Sequence, residues 1–226
     1  MASIDVRLLP GFFKQYQWKS NHGVYGYPTD TFPEFPWIKS LEERGAWLAS
    51  SDKVVCAPTN LLRELMDWGE GRNGPRMKFE AGLGNVSLLN LIKATLEDIE
   101  NPSMSIQRAM AIPGFGLTYG SKLLRFLRPD LHASLDRRIR AALLKEELLD
   151  KIHDGKAPSM IRGYVAFIAF LNKLIVELDY RGIGRPECNL PLGHRKGWRV
   201  ADVEMALFAW ADRNATKSGE RAEKTG

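Results

Sequence analysis

Apolar positions recur with helical spacing over most of the chain. In "VSLLNLIKATLEDIEN" they fall at 88, 89, 91, 92, 96 and 99, the stripe of a helix with one buried face. "IKSLEERGAWLASS" predicts a helix from residue 38 to about 50. "PTNLLRELMDWGEG" predicts another, with Thr59 or Asn60 as N-cap and Gly69 and Gly71 as its stop. "YGSKLLRFLRP", with Leu123, Leu124 and Leu127 as its apolar side, and "LDRRIRAALLKEELLDKI" follow. "PSMIRGYVAFIAFLNKLIVELDY" is long and apolar enough for a buried central helix. Its most apolar stretch, interrupted by Asn172 and Lys173, reads as too short to span a bilayer. "RVADVEMALFAWADRN" predicts the last helix, capped near Asp202. "GRNGPRMKFEAGLGN" reads as a loop with Arg72, Arg76 and Lys78, either solvated or touching phosphate.

Residues 10–37 break this pattern. Aromatic residues crowd there, Trp18 and Trp37 among them, and Pro28, Pro33 and Pro36 interrupt any long helix. Such rings either cap a core or line a pocket for a flat ligand. From Arg213 to Gly226 the chain is small and polar, the composition of a disordered tail. The expectation is an all-α fold with an irregular aromatic N-terminal region. One helical domain spans 1–212, and 213–226 form the tail.

With 226 residues, 44% of them hydrophobic and 26% charged, the chain can bury a substantial core. Its net charge of +5 is concentrated rather than spread. Lys122 to Arg140 holds six cations against Asp130 and Asp136, and the tail holds four against two acids. A local basic patch points to a polyanionic partner. Cys56 and Cys188 stand far apart, which excludes a zinc knuckle and a cysteine-held iron–sulfur cluster. They fit a reducing compartment. With no signal peptide at the start of the sequence, the expected location is cytoplasmic. The four histidines show no triad or metal spacing.

The basic patch overlaps "AMAIPGFGLTYGSKLLRFLRPDLHASLDRRIRAAL", residues 109–143. Gly114 and Gly116 allow a tight turn whose amides point outward at a helix start, a site for a phosphate. Lys122 and Arg125 would add ionic attraction. Asp136 is a lone acid among arginines. It reads as the N-cap of the next helix, as a chemical group, or as both.

"IPGFGLTYGSKLLRFL" followed by "ASLDRRIRAAL" resembles the helix-hairpin-helix signature of the DNA glycosylase superfamily. There a Pro-Gly-x-Gly hairpin precedes an aspartate, in many members by twenty residues, as from Gly116 to Asp136 here. The final helix resembles the bacterial 8-oxoguanine-glycosylase-like subgroup. The resemblance implies a two-lobed helical glycosylase fold, with hairpin and catalytic loop in 103–143. It implies an enzyme that flips a base out of double-stranded DNA and hydrolyses its N-glycosidic bond. Asp136 would stabilise the oxocarbenium-like sugar and align water. Gly114, Phe115, Gly116, Lys122, Arg125, Arg137 and Arg138 would hold DNA. Backbone carbonyls of Met110, Ile112 and Phe115 would hold a structural K+ or Na+, with no cofactor needed for catalysis. Family members that nick DNA carry a lysine where this chain has Thr118, so the expectation is a monofunctional enzyme. Lys122, four residues on, is the alternative nucleophile. Trp18, Trp37, Phe208 and Trp210 are candidates to stack on the base. The base is expected to be an oxidised purine or a phage-modified, glucosylated hydroxymethylcytosine removed in antiviral defence. A non-enzymatic DNA-binding hairpin is the other functional class. The expected protein is a monomer with no membrane partner.

Overall fold

A computed structural model of the chain describes residues 4–18, 22–51, 54–70, 74–191 and 197–223. Gly71 and Arg72 lie outside them. The fold is all-α. Its helices are α1 (Leu9–Gln15), α2 (Pro36–Ser50), α3 (Thr59–Trp68), α4 (Gly74–Gly82), α5 (Leu88–Glu97), α6 (Pro102–Met110), α7 (Leu117–Leu127), α8 (Arg137–Lys145), α9 (Ala157–Tyr180) and α10 (Val200–Glu223).

Local chemistry explains several starts. Asn101 accepts from the amides of Ser103 and Met104 ahead of Pro102, and Ser87 accepts from Asn90 at the start of α5. Two short strands, β1 (Gln17–Trp18) and β2 (Asp30–Thr31), pair antiparallel and order the aromatic N-terminal region. Buried Asp30 then accepts from the amides of Trp37 and Ile38 and so holds the start of α2.

The core lies where α1 packs on α10, α2 on α7, and α6 on α5, α7 and α9. Most N-terminal aromatics fill it: Phe13, Tyr16, Phe35 and Trp37 are buried. The capping alternative therefore holds for these rings.

Three expectations change. The segment read as a loop contains α4. Pro75 near the helix start and buried Phe79 let it pack, and Arg76 is paired with Asp67 and Glu80. The long apolar segment forms α9, 24 residues, which is long and apolar enough to cross a membrane. One face of α9 enters the core through Tyr164, Phe167, Leu171 and Leu174, whereas Lys173 and Val176 are exposed. The helix is therefore buried on one side only. Finally, α10 continues to Glu223, into the stretch expected to be a tail.

Candidate active site

The turn Ala111–Gly116 joins α6 to α7. Gly114 has φ +76, and a Cβ on it would lie 2.2 Å from the Pro75 carbonyl oxygen. Glycine therefore serves both the turn and the close approach of α4. The Ile112 carbonyl accepts the Phe115 amide at 2.9 Å, leaving it partly occupied as a cation ligand. Gly116 is exposed and offers no side-chain cap to α7, so the first amides of that helix remain available to an anion. The Phe115 ring is buried against Phe79 and Tyr119, so only its backbone belongs to the turn surface.

Lys122, in the second turn of α7, is 3% exposed. Its Nζ lies 4.4 Å from the Trp68 ring centre and 5.1 Å from that of Trp18. The two indoles are tied together by the bond from Trp18 Nε1 to the Trp68 carbonyl, 2.7 Å. Gly69 forms one wall: a Cβ there would come within 2.7 Å of the Tyr119 ring and 3.1 Å of Lys122 Cδ. Tyr119 secures that wall by donating to the Gly69 carbonyl at 2.7 Å. Phe208 from α10 closes edge-on against Trp18. Nζ makes no hydrogen bond to a described residue; attraction to the aromatic faces stabilises its charge instead. Burial holds the amine below the ordinary lysine range, against the pull of Asp136 and Glu204.

Ser121 ties the chain that leads into Asp136 to α7. Its Oγ donates to the Thr118 carbonyl and accepts the Leu135 amide at 2.9 Å. That bond fastens the residue before Asp136 to α7, beside Lys122. Asp136 is half-buried, and its Oδ1 accepts the Ile139 amide at 2.9 Å. It is thus the N-cap of α8, and its other oxygen is not used in capping.

The remaining expected residues divide. Trp18 and Phe208 belong to the lysine's nest. Trp37 does not: it is fully buried, stacks on Tyr27 and donates to Glu64 at 2.8 Å, so it cannot meet a flipped base. Trp210 is half-buried against the core. Arg125 is 1% exposed, with Nη1 3.0 Å from Glu42, so it is not presented to phosphate, contrary to expectation. Arg137 and Arg138 are exposed, and the Arg138 guanidinium lies over Phe208 at 5.4 Å, at the rim of the nest. Thr118 is half-buried on the first turn of α7. His132 is structural: it bonds the Ile99 carbonyl and the Tyr164 hydroxyl, and burial pushes its pKa down to about 4. Among the described residues no cluster of His, Cys, Asp and Glu could hold a metal ion.

Sequence reasoning missed Trp68, Gly69, Ser121 and Glu204. Glu204 left a visible signal, an acid within the apolar run "VEMALF". The contacts of Trp68 and Gly69 depend on residues about fifty positions away and left none. The chain matches no family model, no curated protein and no solved structure.

Proposed function

We propose that this protein is a DNA glycosylase acting on a damaged or modified base in double-stranded DNA, with Lys122 as nucleophile and Asp136 as the carboxylate beside it. The observation that carries the reading is the buried Lys122 amine in its aromatic nest, its pKa lowered by burial, on a helix to which the residue preceding Asp136 is tied. A lysine is nucleophilic only as the neutral amine; desolvation favours that form, and outweighs the aromatic faces and acids that favour the ammonium. Thr118 favoured water as the nucleophile. Lys122 stands one helical turn later on the same face, which supports a displaced lysine.

The chemistry follows from these groups. As the bond from C1′ to the base breaks, positive charge grows on the sugar, and the carboxylate of Asp136 stabilises it. Lys122 Nζ forms the new bond to C1′, and the departing base takes a proton. Ring opening converts the adduct to a Schiff base, from which the 3′ phosphate can be eliminated. The open amides at the start of α7, with exposed Arg137 and Arg138, suit the flanking phosphates. The substrate base is proposed to be an oxidised purine or a glucosylated hydroxymethylcytosine.

The test is a panel of duplexes with one modified base each, read for free base by mass spectrometry and for strand nicking without alkali. The reading expects base release with nicking, both lost in Lys122→Met. Release with nicks only after hot alkali, unchanged in Lys122→Met, would return the mechanism to water. Tight duplex binding without release from any substrate would favour the binding module.

A further inference from the structure

One side of α9 packs on α6, α7 and α10. The opposite side is exposed. Arg162, Val165, Ala169, Val176 and Tyr180 recur there with the period of one helix face, and exposed Asp179 borders it. Val176 is 67% exposed and Tyr180 86%, so the strip presents apolar side chains to water along most of the helix. The strip is also symmetric. Arg162 and Asp179 lie equally far on either side of the step from Phe170 to Leu171. So do Val165 and Val176, and so do Ala169 and Asn172. Neither Arg162 nor Asp179 forms an ion pair with a described residue, whereas Glu177 nearby takes Arg181 at 2.6 Å.

We propose that α9 is a self-association surface, on which a second copy of this chain lays its own α9 antiparallel about the Phe170–Leu171 step. A two-fold axis through that step sets Arg162 of each copy against Asp179 of the other and Val165 against Val176. An interface between identical copies requires such reciprocity, residue i meeting j while j meets i. The charge pattern therefore selects a second copy: the same opposite-charge pair forms twice, at the two ends of an apolar centre. Small Ala169 at that centre lets the helix axes approach closely. Lys173 borders the strip, and the antiparallel run offsets it from its counterpart, so it meets no like charge. A lipid surface would leave Asp179 without a partner. The turn Val6–Leu8 packs beside α9, and its Leu8, 55% exposed, widens the apolar surface. One helix strip with this flank is a small interface, below about 1,200 Å², so the dimer forms and breaks with concentration. Because the buried side of α9 meets α7, the surface points away from Lys122. The dimer leaves each copy's site open and does not depend on the chemistry there.

Sedimentation velocity of the full chain, from about 5 to 300 µM, tests it. The average mass should climb from the monomer toward twice that value. Arg162→Asp places like charges together twice across the axis and should weaken association about tenfold, as should Asp179→Arg. The double reversal, Arg162→Asp with Asp179→Arg, should recover wild-type association to within about threefold, because it restores both pairs in the opposite sense. Val176→Asp should leave a monomer. These positions are exposed, so the variants should melt as the wild type does. A wild type that stays monomeric at every concentration overturns the proposal, and this arm needs no variant. A dimer indifferent to both single reversals overturns it too, as does one that the double reversal fails to recover. A monomer that attaches to phosphatidylcholine vesicles, and loses that attachment in Val176→Asp, would give the surface to lipid instead.

Discussion

Lys122 and Arg125 lie three residues apart on α7, and both are buried, yet their surroundings differ in kind. Arg125 belongs to a closed ionic network. Glu42 of α2 receives Arg199 at 2.7 Å, Arg199 and Arg185 grip Asp202, and Arg125 completes the set. This network joins α2, α7 and α10. Lys122 belongs to an open group in which tryptophan faces replace hydrogen bonds and no described acid forms an ion pair with the amine. A buried charge set among opposite charges stabilises one packing, even though Arg125 Nη1 and Arg185 Nε make no hydrogen bond within the network. A buried charge held by soft contacts keeps its chemistry available and its pKa displaced, the condition of functional sites.

That contrast can be broken at several points. The largest effect is expected in the open group. Lys122→Met should abolish covalent trapping, and Asp136→Asn should lower base release by about 10²–10⁴-fold. Because asparagine also caps helices well, Asp136→Asn should melt within about 1 kcal/mol of wild type. A matching loss of stability and activity would make Asp136 only a cap. In the closed network the pattern should invert. Arg199→Met removes the cation that Glu42 and Asp202 share, leaving Glu42 only Arg125 and Asp202 only Arg185, and should cost about 3–5 kcal/mol in urea unfolding. Trapping per folded molecule should be unchanged.

His132 gives a pH test of a buried group that is neither. Its folded pKa of about 4 lies below the ordinary 6.5. The unfolded chain therefore binds a proton first as pH falls. Stability should be full above about 6.5 and decline by about 3 kcal/mol as pH falls toward 4, and His132→Asn should flatten that slope in urea titrations. Next, Gly69→Ala puts a methyl against Tyr119 and the Lys122 stem; about 1–3 kcal/mol of stability and about tenfold of trapping should be lost together. The smallest effect belongs to the solvent-facing pair of Arg63 and Glu80, where Arg63→Ala should change stability by less than about 1 kcal/mol.

How far the molecule could be read from its sequence depends on the range of each interaction. Periodicity announced most helices, because one buried face leaves its mark locally. Asp136 and the glycine turn were legible for the same reason: cap, turn and spacing lie within about thirty residues. The helix α4 was not, since its sequence is glycine-rich and it forms by packing Phe79 and the Pro75 carbonyl against the Gly114 turn. Trp18 and Trp37 looked alike in sequence and separate only in space, one beside Lys122 and the other stacked in the core. The burial of Arg125 was invisible because its partner Glu42 comes from a distant helix. The sequence offers Lys122 as a phosphate-binding residue, with the nucleophile as its alternative. Only the tryptophans brought by the β1–β2 pairing and the end of α3 decide its surroundings.

The central claim is that Lys122 forms a covalent bond with the sugar. Borohydride reduction during incubation with modified or abasic duplex, followed by proteolysis and mass spectrometry of the cross-linked peptide, tests it most directly. The account predicts a reduced deoxyribose adduct on Lys122, lost in Lys122→Met and diminished in Asp136→Asn. An adduct on another lysine, or base release with no reducible adduct, would contradict it.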